Sequence, residues 1–441
     1  MFSIIITTHN SENYIESTLK NVFQATENIK CEIIVVDDGS YDNTLKILQT
    51  YKSIQLLHQM NSGVSSARNK GLKYISKDSE FVTFIDDSDW VSNNFFEQSI
   101  TFFNKYKNIQ MAVTPITVVE NNNNRDHFLN YRFNKSIDIV NIFENYNYVQ
   151  FHIGGVVFRS ELLFAIEQPF DETINFWEDA KLINNLLLEI QDYGLIKNAT
   201  YYYNRDDNNS LAKSAWNNKE RYSGHIEKNF LSLINQSIQV HNFVIKYVKY
   251  VVTIHYLQFL FSHNLQYIDT KYMLEDQRFL LLSQELFTYI DKDTIDKLHI
   301  NKRYKYFLYK LKNLDISDEL NYISVYIHKF KFLQTKIIFS FSEEAFNISD
   351  NSDVYIKKHS VDQKVGLLQK YEKDTLHYLS NDFSRNIYQV KLGFREFFHK
   401  NIFFIKDYDN NKIIQVVSDS IFKRICKKLK LYVGRKVKIG R

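Results

Sequence analysis

A regular alternation of apolar runs with helix-forming segments dominates the first 120 residues. The apolar runs lie at 2–8, 31–38, 54–59, 81–87 and 109–116. The run CEIIVVDD is nearly continuous, as expected of a parallel strand that is covered on both faces. The segments between the runs space their apolar residues as amphipathic helices do. This order predicts βαβ units and a mostly parallel sheet, and therefore an α/β fold.

The rest of the chain changes character twice. The polar stretch at 121–136 is predicted to be a loop, and residues 150–220 return to mixed structure. From about 225 to 320 the apolar residues recur with helical spacing, and beyond 320 short alternating runs indicate strands. We predict an α/β domain at 1–222, a helical segment at 223–320 and a β-rich accessory domain at 321–441.

Composition and missing motifs exclude several classes of protein. The 441 residues carry 55 basic and 51 acidic side chains, and the net charge of +4 is too small to indicate nucleic-acid binding. No apolar run is long enough for a membrane span, and the N-terminus is predicted to form a first strand and not a signal peptide. Cys31 and Cys426 form no metal or redox motif, which favours a reducing, cytoplasmic location. The motifs of P-loop kinases, dehydrogenases, zinc proteases and α/β-hydrolases are absent.

Polar clusters follow three of the predicted strands, at the point where each strand ends. They are His9-Asn10, the DDGS sequence at 37–40 and the DDSD sequence at 86–89. Sheets of this kind bind ligands outside the carboxyl ends of their strands. The sequence therefore predicts a binding site along this edge. Ser11 is predicted to be the N-cap of the helix at 11–25 that follows the first strand.

The second cluster lies in VVDDGSYDNT. Gly39 would allow a tight turn that leaves Asp38 projecting at the strand end, where it could accept hydrogen bonds from ribose hydroxyls or an imide N–H. The alternative is a helix N-cap at Ser40 or Asp42, with the preceding carboxylates merely solvated.

The sequence NSGVSSARNKGL begins a further predicted helix. Asn61 and Gly63 precede its first turn, whose backbone N–H groups could bind a phosphate. Arg68 could contact a diphosphate or a carboxylate. The alternative for Arg68 is an exposed position on an amphipathic helix.

The run FVTFIDDSDWV ends in three carboxylates, Asp86, Asp87 and Asp89, within four positions. Carboxylates this close destabilise one another unless their charge is compensated. Mg²⁺ and Mn²⁺ bind one or two carboxylates together with substrate phosphate oxygens, so a divalent cation is one such compensation. The alternatives are a solvated loop, or Asp89 as the cap of the following helix.

A further acidic pair, Glu178 and Asp179, lies in NFWEDAKLINNLL. Phe176 and Trp177 would give this pair a partly apolar setting at the start of a predicted helix, where a carboxylate can act as a general base. The alternative is an acidic first turn that the helix dipole favours.

Taken in order, these motifs resemble the family 2 glycosyltransferases with the GT-A fold. The resembling stretches span residues 3–210, a little under half of the chain. They are SIIITTHNSENYIESTLKNVF, EIIVVDDGSYDNT, NSGVSSARNKGL, FVTFIDDSDWV, HIGGVVFRSELL, FWEDA and YYYNRDDNNS. The resemblance implies a Rossmann-like nucleotide-diphospho-sugar transferase domain and an inverting transfer of a sugar, usually from a UDP-sugar. It also implies an acceptor on a bacterial surface glycan or glycopolymer, such as wall teichoic acid or capsular polysaccharide.

The resemblance also implies roles for individual residues. Thr7, His9 and Asp38 match positions that hold the base and ribose, although the position of His9 is often occupied by Tyr. Arg205 and Ser210 fall in a stretch that resembles the loop closing over the diphosphate. The residues assigned to the donor are Thr7, His9, Asp38, Asn61, Arg68, Asp86, Asp87, Arg205 and Ser210.

The resemblance assigns the metal and the base as well. Asp87 and Asp89 match the motif that holds Mn²⁺ or Mg²⁺. The commonest motif is Asp-x-Asp-Asp, and here Ser88 stands where an aspartate is frequent, so Asp86 stays open as the alternative partner of Asp89. Asp179 matches the catalytic base, with Glu178 beside it.

Two other functions stay open. The altered metal motif favours a catalytically inactive module that binds a nucleotide sugar or glycan, and the intact Glu178 and Asp179 oppose it. A sugar-phosphate nucleotidyltransferase would need a glycine-rich and basic phosphate loop after the first strand, where this chain has THNSENY.

The C-terminal half carries no catalytic constellation. Its segment 423–441 contains no acidic residue and could contact anionic lipids at the inner face of the cell membrane, or a polyanionic acceptor. The alternative is a solvated basic end. By the same resemblance, the region after the α/β domain is expected to bind acceptor or to mediate homo-oligomerisation.

Overall fold

The computed structural model describes residues 1–121, 123–206, 215–264, 267–314, 323–358, 361–376 and 378–418. The chain divides into two compact units. The first comprises Met1–Tyr256 and Arg278–Leu282, and the second comprises Leu257–Gln277 and the residues from Ser283 onward. The three-part division that we predicted from the sequence stays a prediction.

An eight-stranded sheet lies at the centre of the first unit. Its strands are β1 (Phe2–Thr8), β2 (Cys31–Asp38), β3 (Gln55–Gln59), β4 (Phe81–Asp86), β6 (Met111–Val113), β9 (Ile139–Asn141), β10 (Val156–Arg159) and β11 (Asp192–Leu195), in the order β3-β2-β1-β4-β10-β6-β11-β9. The strands from β3 to β4 are parallel, β10 is antiparallel to both β4 and β6, and β11 is parallel to β6. The predicted α/β fold is confirmed.

Helices separate most of these strands, and a smaller sheet lies in the same unit. The helices are α1 (Ile15–Ala25), α2 (Thr44–Leu48), α3 (Val64–Lys73), α4 (Phe95–Lys105), α5 (Ser160–Phe164) and α6 (Glu178–Ile190). The smaller sheet contains β5 (Trp90–Val91), β7 (Ile116–Glu120), β8 (Asn123–Asp126) and β12 (Tyr201–Asn204), in the order β5-β12-β7-β8.

Burial explains why these sequences form these elements. Ile4, Ile5 and Ile6 are successive residues of β1, and all three are buried because helices cover both faces of the sheet. On α1 the buried residues recur at helical spacing, so that Leu19 and Val22 pack into the core beneath the sheet.

The strand register brings the predicted polar clusters to one edge. Thr8 of β1 pairs with Asp37 of β2, and Thr7 pairs with Asp86 of β4. Asp38 pairs with Gln59 of β3. These pairs lie at the carboxyl ends of four neighbouring parallel strands. The four strand ends therefore form one continuous edge of the sheet.

Three local predictions are wrong. The helix predicted at 11–25 begins at Ile15 with Tyr14 as its N-cap, because the Ser11 hydroxyl donates to Asp87 and not to the helix. The stretch at 121–136 contains β8, which pairs with β7, and a 3-10 helix at Phe128–Asn134. Asp89 does not cap the following helix, whose N-cap is Asn94.

Helices follow the α/β region, as the sequence predicted. They lie at Ser223–His225, Ser232–His241, Lys246–Asn264, Thr270–Glu275, Arg278–Tyr289, Lys292–Asp296 and Lys302–Leu311, with a π-helix at Ile226–Leu231. Within the described ranges, none of the helices is both long enough and apolar enough to cross a membrane.

The second unit contains two four-stranded sheets, which confirms the predicted β-rich region. One sheet has the order β13-β14-β20-β17, with β13 (Val325–Lys331), β14 (Lys336–Phe341), β17 (Gly366–Gln369) and β20 (Ile387–Lys391). The other has the order β16-β15-β21-β22, with β15 (Ser352–Ile356), β16 (Gln363–Lys364), β21 (Ile402–Asp407) and β22 (Lys412–Val417). The unit also contains a hairpin of β18 (Glu372–Thr375) and β19 (Tyr378–Asn381), a helix at Phe394–Phe398, and 3-10 helices at Phe332–Gln334, Glu343–Asn347 and Phe383–Arg385.

Side chains of both sheets share one core, in which the ring centroids of Phe339 and Phe403 are 4.8 Å apart. The basic segment 423–441, which we predicted to contact lipids or a polyanionic acceptor, lies outside the described residues.

Candidate active site

Asp38 organises the loop that joins β3 to α3. One carboxylate oxygen accepts from the Gln59 amide and the Ser62 backbone N–H, both at 2.8 Å, and the other accepts from the Gly63 N–H at 2.8 Å. The side chain is 5% exposed. The alternative of a solvated carboxylate is therefore wrong, and α2 has Asn43 as its N-cap and not Ser40 or Asp42.

Gly39 makes this arrangement possible. Its φ is +75°, a backbone conformation that residues other than glycine rarely adopt. A Cβ at this position would lie 2.6 Å from the backbone nitrogen of Asn61. The tight turn that the sequence predicted is confirmed, and it brings the end of β2 against the loop after β3.

His9 joins the ends of β1, β2 and β3 through its ring. Nδ1 donates to the Asp38 carbonyl oxygen at 2.8 Å, so Nε2 is the acceptor in the neutral ring. Nε2 accepts from the amides of Asn10 at 2.8 Å and Asn61 at 3.2 Å. The exposed ring of Tyr41 packs edge-on against His9, with 6.0 Å between the centroids.

The three aspartates after β4 differ in how they are held. Asp87 accepts from the His9 backbone N–H at 3.2 Å and from the Ser11 hydroxyl. Asp89 is 1% exposed and accepts from the Tyr201 hydroxyl at 2.7 Å and the Asn204 N–H at 2.8 Å. Asp86 is more exposed, and it accepts a hydrogen bond from the Arg68 guanidinium.

Burial makes the negative charge of this cluster costly. Desolvation raises the pKa of Asp87 to about 6, against the hydrogen bond from Ser11. Desolvation and the neighbouring charge of Asp86 hold the pKa of Asp89 well above its usual range. Partly uncompensated carboxylates of this kind are the oxygen ligands that Mg²⁺ and Mn²⁺ prefer.

The side chains of the aspartate cluster can supply only part of the coordination shell of a divalent cation. Within the described chain, no three or more His, Cys, Asp or Glu side chains are grouped closely enough to hold a metal alone. Mg²⁺ in nucleotide sites commonly takes one or two carboxylates and completes its shell with water and substrate phosphates. The aspartates fit that mode of binding.

Arg68 links this cluster to the acidic pair. One terminal nitrogen donates to Asp86 at 3.0 Å, and the other donates to Glu178 at 3.0 Å. Arg68 is 4% exposed, and the two carboxylates, with Asp179 nearby, raise its pKa despite burial. The alternative of an exposed arginine is therefore wrong.

Glu178 and Asp179 form the first turn of α6, as predicted. Asp179 accepts from the Ile153 backbone N–H at 3.2 Å and from the Ala180 N–H at 2.7 Å. Burial raises the pKa of both carboxyl groups, and the Arg68 charge opposes this shift. Trp177, directly before them, has a φ of +69°, which is rare for a bulky residue and indicates backbone strain at this helix start.

The aspartate cluster, the acidic pair, Arg68, Asp38 and His9 line one cleft with a volume of about 670 Å³. This size is typical of small-ligand sites. The predicted residues along its wall are Thr7, His9, Asp38, Asn61, Arg68, Asp86, Asp87, Asp89, Glu178 and Asp179. Arg205 directly follows β12, and its backbone N–H donates to the Val119 carbonyl oxygen. Arg205 is not among the described residues that line the cleft. Ser210 lies outside the described residues.

The cleft contains further residues to which no role was assigned from the sequence. His152 belongs to the HIGG sequence. Arg221 stacks over the rings of Trp216, at 4.6 Å, and Phe176, at 5.2 Å, and burial lowers its pKa to about 10. The HIGG sequence was visible as part of the family resemblance, whereas no pattern in the sequence pointed to Arg221.

Comparison with known proteins identifies relatives of this chain. Residues 3–163 match the family described as glycosyl transferase family 2. The minor teichoic acid biosynthesis protein GgaA of Bacillus subtilis is 31% identical over 377 residues, which cover 81% of this chain and 84% of GgaA. The B. subtilis protein GgaB is 30% identical over 337 residues, which cover 71% of this chain but only 35% of GgaB.

A solved structure, that of Staphylococcus aureus TarS 1–349, aligns with 72% of this chain and 88% of its own, with 19% identity and a TM-score of 0.48. The family match and the extent of the similarity to GgaA identify this chain as a member of glycosyltransferase family 2.

Proposed function

We propose that this enzyme transfers a sugar from a UDP-sugar, with inversion, to a hydroxyl group of a bacterial cell-surface glycopolymer of the teichoic-acid type. One observation carries the proposal: Arg68 bonds a carboxylate of the aspartate cluster and a carboxylate of the acidic pair in a single cleft. A transferase needs a leaving-group site and a base on opposite sides of one sugar, and we propose the aspartate cluster and the acidic pair for these two roles.

The donor side is formed by the ends of β1 to β4. We assign the base and ribose to Thr7, His9, Asp38 and Asn61, all of which line the cleft. We assign a divalent cation to Asp89 and Asp87, with Asp86 as an alternative ligand. When bound there with the donor, Mn²⁺ or Mg²⁺ would neutralise charge on the leaving diphosphate.

Asp179 is proposed as the general base. Two backbone N–H groups fix its carboxylate, and burial raises its pKa towards the range in which a base works well. Asp179 removes the acceptor hydroxyl proton as that oxygen forms a bond to the anomeric carbon. The bond from this carbon to the diphosphate oxygen breaks with its electron pair, and a single displacement inverts the configuration. Glu178 stays paired with Arg68 and keeps the charge beside Asp179 balanced.

The names of two similar proteins support the proposed class of acceptor. GgaA and GgaB are both called minor teichoic acid biosynthesis proteins. We propose an acceptor of the same chemistry, a hydroxyl-rich phosphodiester polymer, reached from the cytoplasmic side of the cell membrane. The second unit is proposed to bind the acceptor polymer or to mediate assembly with further copies of the chain.

Calorimetry and turnover assays of the full chain test the proposal. The probes are UDP-glucose, UDP-galactose and their N-acetylhexosamine counterparts, each with and without Mn²⁺, and a teichoic-acid-type polymer as acceptor. We expect Mn²⁺-dependent binding of one UDP-sugar and release of UDP when acceptor is added. Asp89→Asn should lose both, whereas Asp126→Asn, which changes an exposed aspartate of the same unit, should lose neither.

Two results would contradict the proposal. Metal-dependent binding with no turnover on any acceptor would favour the inactive binding module. Failure of the folded chain to bind any nucleotide sugar would remove the donor site altogether.

A further inference from the structure

The HIGG sequence at 152–155 supports the proposed base and also holds a histidine in the cleft. The Ile153 N–H donates to Asp179, and the Gly154 N–H donates to Nδ1 of His152 at 3.0 Å. The Gln150 amide donates to the His152 carbonyl oxygen at 2.6 Å. The ring of His152 lines the cleft itself.

These contacts determine the tautomer of His152. A backbone N–H can only donate, so Nδ1 must be the acceptor in this ring and the proton of the neutral form lies on Nε2. Desolvation lowers the pKa of His152, which keeps the ring neutral. No residue within the described ranges accepts a hydrogen bond from Nε2. His152 is therefore a neutral N–H donor without an acceptor in the part of the chain that the structure describes.

Contacts on two sides place His152 between the two halves of the site. The N–H of the next residue, Ile153, donates to Asp179, the proposed base. The His152 ring packs edge-on against the Tyr201 ring, with 6.4 Å between the centroids, and the Tyr201 hydroxyl donates to Asp89 on the proposed leaving-group side. The transferred sugar has to lie between these two groups, because its anomeric carbon is attacked beside one and released beside the other.

We propose that His152 binds the transferred sugar, with its Nε2–H donating to a sugar oxygen, either a hydroxyl or the carbonyl of an acetamido group. The inference rests on the proposed function, because it requires a nucleotide sugar in the cleft. It adds a donor-specificity residue to the site, since the ring discriminates between sugars by the oxygen that they place opposite Nε2.

The glycine that follows is consistent with this role. A Cβ at Gly154 would lie 2.5 Å from Cε1 of Tyr201 and 2.8 Å from Cε1 of His152. Any larger residue would displace one of the two rings, so the sequence at this position keeps the imidazole where it is. Tyr201 also bonds Asp89, so the same glycine protects the aspartate cluster.

A matched pair of variants tests the proposal. The amide nitrogen of His152→Gln can reach about as far as Nε2, whereas that of His152→Asn reaches only about as far as Nδ1. Calorimetry in Mn²⁺ compares the affinity for UDP with that for the UDP-sugar that the wild type prefers. We expect His152→Asn to weaken UDP-sugar binding about 3- to 10-fold, the range of one neutral hydrogen bond, and to leave UDP binding unchanged. His152→Gln should recover most of the loss.

His127 provides the control. It lies beside His152, with 5.6 Å between the ring centroids, and its Nδ1 likewise accepts from the backbone N–H two residues later. It is not among the described residues lining the cleft. His127→Asn should therefore change neither affinity.

Four results would overturn the inference. One is equal loss of UDP and UDP-sugar affinity in His152→Asn, which would indicate a structural role. Another is unchanged affinity for both ligands in that variant. A wild type that binds UDP in the expected way but shows no added contribution from any sugar would also overturn it, while leaving the nucleotide part of the proposed function intact. A wild type that binds neither ligand would overturn both proposals.

Discussion

Arg68 and Glu178 are 110 residues apart in the sequence and form a buried ion pair, with 3.0 Å between Nη1 and Oε1. The other terminal nitrogen of Arg68 donates to Asp86. The guanidinium is thus the counter-charge of two carboxylates, one at the end of β4 and one at the start of α6. Its removal would leave both of them buried or half-buried without a cation.

Arg68→Gln is expected to destabilise the fold strongly. Breaking a buried ion pair by removing one partner typically costs about 3–5 kcal/mol, because the remaining charge stays desolvated. Urea denaturation followed by circular dichroism measures the loss in the free energy of unfolding. Arg125→Gln is the control, because Arg125 pairs with Glu120 at 3.6 Å with its side chain 53% exposed. An exposed pair of this kind contributes about 1 kcal/mol or less. Equal effects of the two variants would show that the Arg68 bridge does not stabilise the protein.

The placement of the cleft could be predicted from the sequence, whereas the contacts within it could not. Parallel strands bring their carboxyl ends to one edge whatever their side chains do, so the polar residues after β1, β2 and β4 were bound to meet. Nothing local indicates that Arg68 reaches Glu178, because that pair depends on how the start of α6 packs against α3. The role of Asp38 as the anchor of the loop before α3 depends in the same way on the pairing of β2 with β3.

Two of the wrong local predictions have a common cause. Ser11 has the residue type of a helix N-cap, but a tertiary partner, Asp87, takes its hydroxyl. The stretch at 121–136 is polar enough for a loop, yet β7 offers it a strand partner and Arg132 inserts into the core. Its guanidinium donates to the carbonyl oxygens of Leu129 and Val149 and to the Gln150 side chain. Local propensity lost to long-range hydrogen bonding in both cases.

Asp179→Asn is expected to separate binding from transfer. The amide cannot take a proton from the acceptor, so kcat should fall about 10²- to 10⁴-fold. One amide oxygen can still accept from a backbone N–H, and the donor affinity should therefore change little. UDP release gives kcat, and calorimetry with the UDP-sugar gives Kd.

The matched control for this change is Asp171→Asn. Asp171 pairs with Lys181, a residue of the helix that contains Asp179, at 2.7 Å. Asp171 itself is not among the described residues that line the cleft. Its loss should leave both kcat and Kd near the wild-type values. Parallel loss of affinity and turnover in Asp179→Asn would argue that Asp179 shapes the donor site and is not the base.

Gly39→Ala is expected to destabilise the protein more than Gly63→Ala does. Both glycines have positive φ, +75° and +88°, so alanine costs about 1–2 kcal/mol of backbone strain at either position. At Gly63 no atom lies within 4 Å of the added Cβ, but at Gly39 the Asn61 nitrogen lies 2.6 Å from it. We expect losses in the free energy of unfolding of about 1–2 kcal/mol at Gly63 and roughly 2–4 kcal/mol at Gly39. Denaturant titration measures both, and equal losses would contradict the close approach at Gly39.

Protonation of His255 is expected to destabilise the folded protein as the pH drops from 7.5 to 5. This ring is 4% exposed, and it packs against Phe151 and Trp177. Burial, together with the nearby Arg221 charge, lowers its pKa to about 4, against the opposing effect of the hydrogen bond to the Val251 carbonyl. Between pH 4 and about 6.5 the unfolded chain binds a proton that the folded chain excludes, so stability rises with pH in this window.

The size of the effect follows from the two pKa values. His255 alone should remove about 2 kcal/mol from the free energy of unfolding between pH 7.5 and pH 5. His255→Phe has no group to protonate, so it should reduce the pH dependence by that amount even if its stability at pH 7.5 is lower. Urea denaturation of both proteins at the two pH values measures the difference. The same pH dependence in the variant and the wild type would show that His255 is not excluded from protonation by the fold.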